Sequence, residues 1–199
     1  MKRIVWLFLL ALALPMAAFA HNSVDFTNVG GTLAGGTSGL ALTGSTLAVV
    51  GSGGGIVTGN LGSLTFMTAA MASGDLQKGG TFNAGGTFVI TGNASNPLSS
   101  GTIFTGTFTG PVTWTLVTLA NGTHNYTLSG ALSGTWYTGA TVFGATIQIT
   151  INTGKGFFSG STLVSSGDTN LVVPEPGSLT LLGTGLVCLA GVVRRKLKA

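Results

Sequence analysis

The chain has 199 residues and a formal net charge of +4, yet only 6% of its residues are charged, glycine fills 34 positions and there is a single cysteine. The positive balance sits at the ends, in Lys2, Arg3, Arg194, Arg195, Lys196 and Lys198, whereas residues 21–173 hold Lys78 and Lys155 against Asp25, Asp75 and Asp168, a net of −1. A disulfide framework, charge-driven disorder and a basic nucleic-acid surface are therefore not expected, and stability must come from packing and strand pairing.

Met1-Lys2-Arg3 precedes an unbroken apolar run from Ile4 to Leu14, Pro15 breaks it, and Ala18 and Ala20 flank Phe19 with small side chains. That order predicts a signal peptide over 1–20, cut before His21, with the secretion translocon and signal peptidase as partners. An uncleaved membrane anchor is the alternative reading.

The body, 21–164, reads as an exported all-β domain of ~150 residues. Val24–Thr27, Leu40–Thr43, Ser45–Val50, Ser63–Met67, Thr87–Ile90, Thr102–Phe104 and Val112–Leu119 are short β-rich runs parted by glycine. Asn121-Gly122 is the strongest hairpin signal, and Ala145 to Ile151 alternates cleanly between apolar and polar positions. Gly-Thr-aromatic or Gly-Thr-aliphatic triplets recur, at Gly80, Gly86, Gly101, Gly106 and Gly134 among others, but at uneven intervals. Uneven spacing with hairpin turns predicts an antiparallel sandwich or barrel, and a β-solenoid is the alternative.

Candidate chemistry is sparse. The aspartates are isolated in sequence, and His124 lies just past the Asn121-Gly122 turn, where exposure is expected. A hydrolase would need two of Asp25, Asp75 and Asp168, or one of them with His124, to meet in a cleft. No nucleophile elbow, phosphate loop or zinc-binding helix motif is present, so no catalytic residue, metal or cofactor is expected. Trp136 and Tyr137 are candidates for stacking on sugar rings, while Trp114, on an alternating strand, reads as core. Thr105, Thr107 and Thr109 would share one strand face as a row of hydroxyls.

Ser165 to Val172 reads as a polar linker. After it come Val173-Pro174-Glu175-Pro176-Gly177-Ser178, an uncharged apolar run from Leu179 to Val193, and Arg194-Arg195-Lys196. Both prolines hold their preceding residues extended, giving a stiff strip of backbone. The run of about fifteen residues would reach roughly 22 Å as a helix. With Gly177 and Ser178 it lies at the short edge of the membrane-spanning range, and the cations behind it act as a membrane stop on the cytoplasmic side. Cys188, inside this run, reads as a small filler.

These three parts, in this order over 173–199, resemble the PEP-CTERM sorting signal of bacterial exported proteins. An ordinary single-span anchor with two incidental prolines is the alternative. The resemblance implies a precursor held as a single-pass membrane protein and processed at Val173, Pro174, Glu175, Pro176 and Gly177 by an exosortase-type membrane enzyme. It also implies a setting beside exopolysaccharide, in biofilm-forming cells. The reading that follows is a surface or matrix protein with a structural or adhesive role. A carbohydrate-binding module is the alternative, with a secreted hydrolase behind it.

Overall fold

The computed structural model describes residues 22–95 and 98–173. The predicted signal peptide with Ala18, Ala20 and His21, and the tail from Pro174 through Arg194, Arg195 and Lys196 with its predicted transmembrane helix, lie outside the described residues. Within them every regular element is a strand: β1 (Asn22–Val29), β2 (Thr32–Gly36), β3 (Gly39–Ser52), β4 (Gly55–Met67), β5 (Met71–Asp75), β6 (Gly79–Phe82), β7 (Gly85–Asn93), β8 (Ser100–Phe108), β9 (Val112–Thr118), β10 (His124–Trp136), β11 (Thr141–Asn152) and β12 (Ser161–Val173).

The pairing closes on itself. β2–β3–β4–β7–β8–β10–β11–β12 and back to β2 is a ring of eight strands, antiparallel at every step. The other four strands are continuations of these staves. β1 and β2 face β3 in one register, with Val29 opposite Thr46 and Thr32 opposite Thr43. In the same way β5 prolongs β4, β6 leads into β7 and β9 prolongs β8, as the pairs β5–β6, β6–β9 and β9–β10 require. Each stave therefore bonds to the next one in sequence, which is an up-and-down β-barrel. Of the two predicted antiparallel forms the barrel is the one adopted, and the antiparallel meander leaves no place for solenoid rungs.

Glycines set the bends. β1 passes into β2 through Gly30 and Gly31, at φ of 65° and 81°, a region open to glycine with little strain. Gly106 and Gly134 lie opposite each other, and a Cβ on either would come within 2.8 Å of Phe104 Cζ. The Phe104 ring lies over both glycines, so at this pair a bare backbone makes room for a large ring on the inner face.

The inner face is apolar. Phe26, Leu42, Leu64, Phe88, Phe104, Leu128, Ile149 and Leu171, one from each stave, have no exposed surface. Phe88 meets Phe104 and Phe108 edge to face, with centroids 5.9 and 6.4 Å apart. The outward positions of the same strands are mostly Thr, Ser, Asn and Gln, with Val29, Met67, Val117, Phe143 and Leu163 exposed among them. A barrel that crosses a membrane has the reverse polarity, apolar outside and polar within.

One mouth is plugged. Trp114 and Tyr126 stack at 4.9 Å, and Phe158 meets the indole edge-on at 5.4 Å. Trp114 Nε1 donates to Leu76 O at 2.8 Å, Tyr126 Oη donates to Gln77 O at 2.7 Å, and the Phe158 N–H donates to Tyr126 Oη at 3.2 Å. Loops 76–78 and 153–160 are thereby fastened over the opening. Loops 37–38 and 119–123 share this far rim. The other rim carries hairpin 53–54, loop residues 94–95 and 98–99, turn 137–140, the start of β1 and the end of β12.

One expectation about the extent of the body is corrected, and the predicted hairpin is found. Ser165 to Val172, read as a linker, lie within β12, which pairs with β11 and with the β1–β2 stave. The body thus runs to Val173 and does not end at 164. The alternation is hidden by a bulge at Ser165 and by small inward residues: Gly167 faces Ile149 and Asn28, and a side chain there would overlap both. Asn121-Gly122 does form a hairpin loop, but only Gly122 has a positive φ, of 79°. Asn121 serves through its side chain, whose Oδ1 accepts from Thr123 N at 3.0 Å and from Thr123 Oγ1 at 2.8 Å.

Candidate functional site

With the interior filled, candidate sites lie on the outer wall, the rims and the tail. On the wall, Thr105 faces Thr135 across β8–β10, Thr135 faces Thr141 across β10–β11, and Thr107 faces Ser133. With Thr87 and the backbone of Gly106 and Gly134 they line an open depression of about 420 Å³. Thr105 and Thr107, two of the three predicted to share a face, do so, and Thr109 lies past the end of β8. The hydroxyls opposite them come from residues about 30 positions away, and only the register brings them together.

A second set of polar side chains runs around the wall as a ladder. Asp168 lies opposite Gln148, Gln148 opposite Ser129, Ser129 opposite Thr113, Thr113 opposite Thr81, and Thr81 opposite Ser73. Ser73 Oγ and Thr81 Oγ1 are 2.8 Å apart. Thr27 Oγ1 donates to Asp168 Oδ1 at 3.3 Å, and Asn170 Nδ2 donates to Asp25 Oδ1. Asp25 and Asp168 therefore come to adjacent staves, each accepting from a neutral neighbour on the exposed wall. Asp75 is at the far rim, where its Oδ1 accepts from the N–H groups of Gln77 and Lys78 and shapes the turn. The three carboxylates do not converge in a cleft.

His124, expected at the surface, is only 8% exposed. Loop 153–160 folds over it: the His124 N–H donates to Gly154 O at 2.7 Å, and the ring stacks on Phe157 at 4.4 Å. Its Nδ1 is 3.0 Å from Thr118 Oγ1. Among the described residues no carboxylate is paired with it, and its stacking on Phe157 holds the loop in place.

Trp136 and Tyr137 do not form a flat pair. The rings are tilted by 53°, Trp136 leans on Phe26 at 6.1 Å, and Tyr137 alone projects, 59% exposed. Trp114 is core, as its alternation predicts. Inside the barrel, Asn28 Nδ2 donates to Ser45 Oγ at 2.7 Å, while Asn28 Oδ1 and Thr169 Oγ1 have no hydrogen-bond partner among the described residues. This polar seam had no signal in the sequence, because strands far apart in the chain assemble it. Among the described residues no group of three or more His, Cys, Asp or Glu side chains is placed to hold a metal.

The decisive comparison concerns the tail. Residues 172–196 match the family model of the PEP-CTERM protein-sorting motif. The chain carries a PEP-CTERM sorting motif. It marks a secreted protein that is sorted by an exosortase and held transiently at the membrane. No curated protein and no solved structure matches the chain. The PEP-CTERM match opens on Val172 and Val173, the last two residues of β12, so the barrel's closing strand runs directly into the sorting signal.

Proposed function

We propose that the barrel is the cargo of this sorting route: a neutral, hydroxyl-clad surface or matrix protein with a structural or adhesive role and no catalysis of its own. The leader takes it through the translocon and is removed by signal peptidase, and the tail then holds it with Arg194, Arg195 and Lys196 in the cytoplasm. An exosortase-type enzyme cuts in or near Pro174-Glu175-Pro176, and the body passes to the cell surface or exopolysaccharide matrix. One observation supports this reading above the others: a filled, mostly apolar interior under a wall rich in Thr, Ser, Asn and Gln leaves the chemistry of the body on its outside. Such a wall suits hydration and many weak hydrogen bonds, each worth about 0.5–1.5 kcal/mol net, more than tight capture of one ligand.

The test is made in cells that own an exosortase-type enzyme. Native protein should accumulate as a shortened product in the matrix, whereas Pro174→Ala/Glu175→Ala/Pro176→Ala should remain full length in the membrane fraction. Equal processing of the two would defeat the reading. The depression lined by Thr105, Thr135 and Thr141 supports the narrower carbohydrate-binding reading. Thr105→Val/Thr135→Val should then lower retention on matrix polysaccharide by about tenfold, as expected for losing roughly 1.4 kcal/mol. Unchanged retention would remove that reading.

A further inference from the structure

We propose that the rim from which the chain leaves the barrel is a lipid-contact surface. This rests on the membrane-sorting reading and adds to it a definite orientation of the body. Ile56 is 75% exposed, Tyr137 59% and Phe143 71%. Isolated exposed apolar side chains are ordinary, but these three share one rim and bracket the exit. Ile56 is one residue from the β3–β4 hairpin tip and faces Gly51, which in turn faces Asp25 near the start of β1. On the other side, Phe143 lies near the start of β11, the strand that pairs with β12, and it points outward beside the irregularity at Gly144. Tyr137 stands on the turn 137–140 that leads into β11, at the same end as Phe143.

Chain length and charge select lipid as the occupant. Only residues 174–178 separate Val173 from the apolar run that begins at Leu179. Fully extended, that spacer reaches at most about 20 Å. A short tether gives a weak contact an effective concentration of order mM, enough to populate it while the tail is in place. Lys78, Lys155 and Asp75 all belong to the far rim, and Asp25, the charge nearest the exit, is engaged by Asn170. Val117, Leu119, Phe157 and Leu163 are exposed at or near the far end and Val29 and Met67 on the wall, but they lie away from the exit, and the far-end group stands among those charges. Among the described residues no lysine or arginine lies near the exit rim's apolar side chains, so the contact is expected on a zwitterionic surface. A few half-exposed side chains bind weakly once untethered, so cutting the tail would also free the body.

Trp136, tilted against Tyr137 on this rim, is a native reporter, whereas Trp114 is in the plug of the far mouth. Full-length protein is placed in phosphatidylcholine vesicles with bromine near the head-group end of the acyl chains. The Trp136 signal is taken as the difference from Trp136→Phe. Quenching of about half that signal is expected for a ring in the interfacial zone, roughly 5–10 Å deep. Ile56→Ser/Tyr137→Ser/Phe143→Ser should abolish the quenching without changing thermal unfolding. Protein that floats with vesicles yet shows no quenching overturns the rim contact and leaves membrane sorting intact; protein that fails to float overturns both. Quenching that survives the triple variant, or that changes with the protein-to-lipid ratio as contact with a second copy would, also rejects the proposal.

Discussion

Trp114→Ala should cost about 3–5 kcal/mol, the range for removing a buried Trp or Phe side chain, a large part of the roughly 5–15 kcal/mol that holds a domain folded. Trp114 stacks on Tyr126, meets Phe158 edge-on and fastens Leu76 O, so the variant both opens a cavity and releases loop 76–78. In urea, with a slope of about 2 kcal/mol per molar, the unfolding midpoint should fall by about 2 M. Tyr126→Phe separates packing from hydrogen bonding at the same place. It keeps the ring but leaves Gln77 O without its donor and the Phe158 N–H without its acceptor. Each orphaned backbone group costs about 1–3 kcal/mol if it stays buried, so a loss of about 2–3 kcal/mol is expected. A Trp114→Ala midpoint within about 0.5 M of native, against that slope, would mean that the far mouth is not closed by these rings.

The legible and illegible parts of this chain divide along one physical line. Alternation within a single strand was readable: Ala145 to Ile151 is β11, Trp114 is core, and Thr105 and Thr107 share a face. Whatever depends on pairing between distant strands was not. The closing of β12 on β1, the seam of Asn28, Ser45 and Thr169, and the hydroxyl ladder from Asp168 to Ser73 exist only once the register is set, and a bulge or one inward glycine hides it. His124 was misread for the same reason, since the loop that covers it begins 29 residues later. The sorting tail is the opposite case. Its order of extended strip, apolar run and cations is linear, and it was legible without any fold.

The error over Ser165 to Val172 leads to the other large effect. If those residues were a linker, a chain ending at Val164 would fold as well as one ending at Val173. In the barrel they carry the pairing of Thr146–Thr150 on β11 and the contact with β1, and they bury Thr169, Leu171 and Val173. Removing them would open the ring, expose Phe26, Ile147 and Ile149 to water, and leave two long unpaired edges that invite aggregation. The loss of Leu171 alone, fully buried, is worth about 2–5 kcal/mol, and the lost pairing adds to it. The chain ending at Val173 should therefore unfold cooperatively, while the chain ending at Val164 should show no cooperative transition and should aggregate. The same geometry limits processing. Val173 is 9% exposed within the closing strand, and a cut before it would remove part of the barrel wall, so the sorted product should end at or beyond Val173. Intact mass of the matrix form decides it: a C-terminus at Val172 or earlier would mean that the enzyme takes the strand apart to reach its bond.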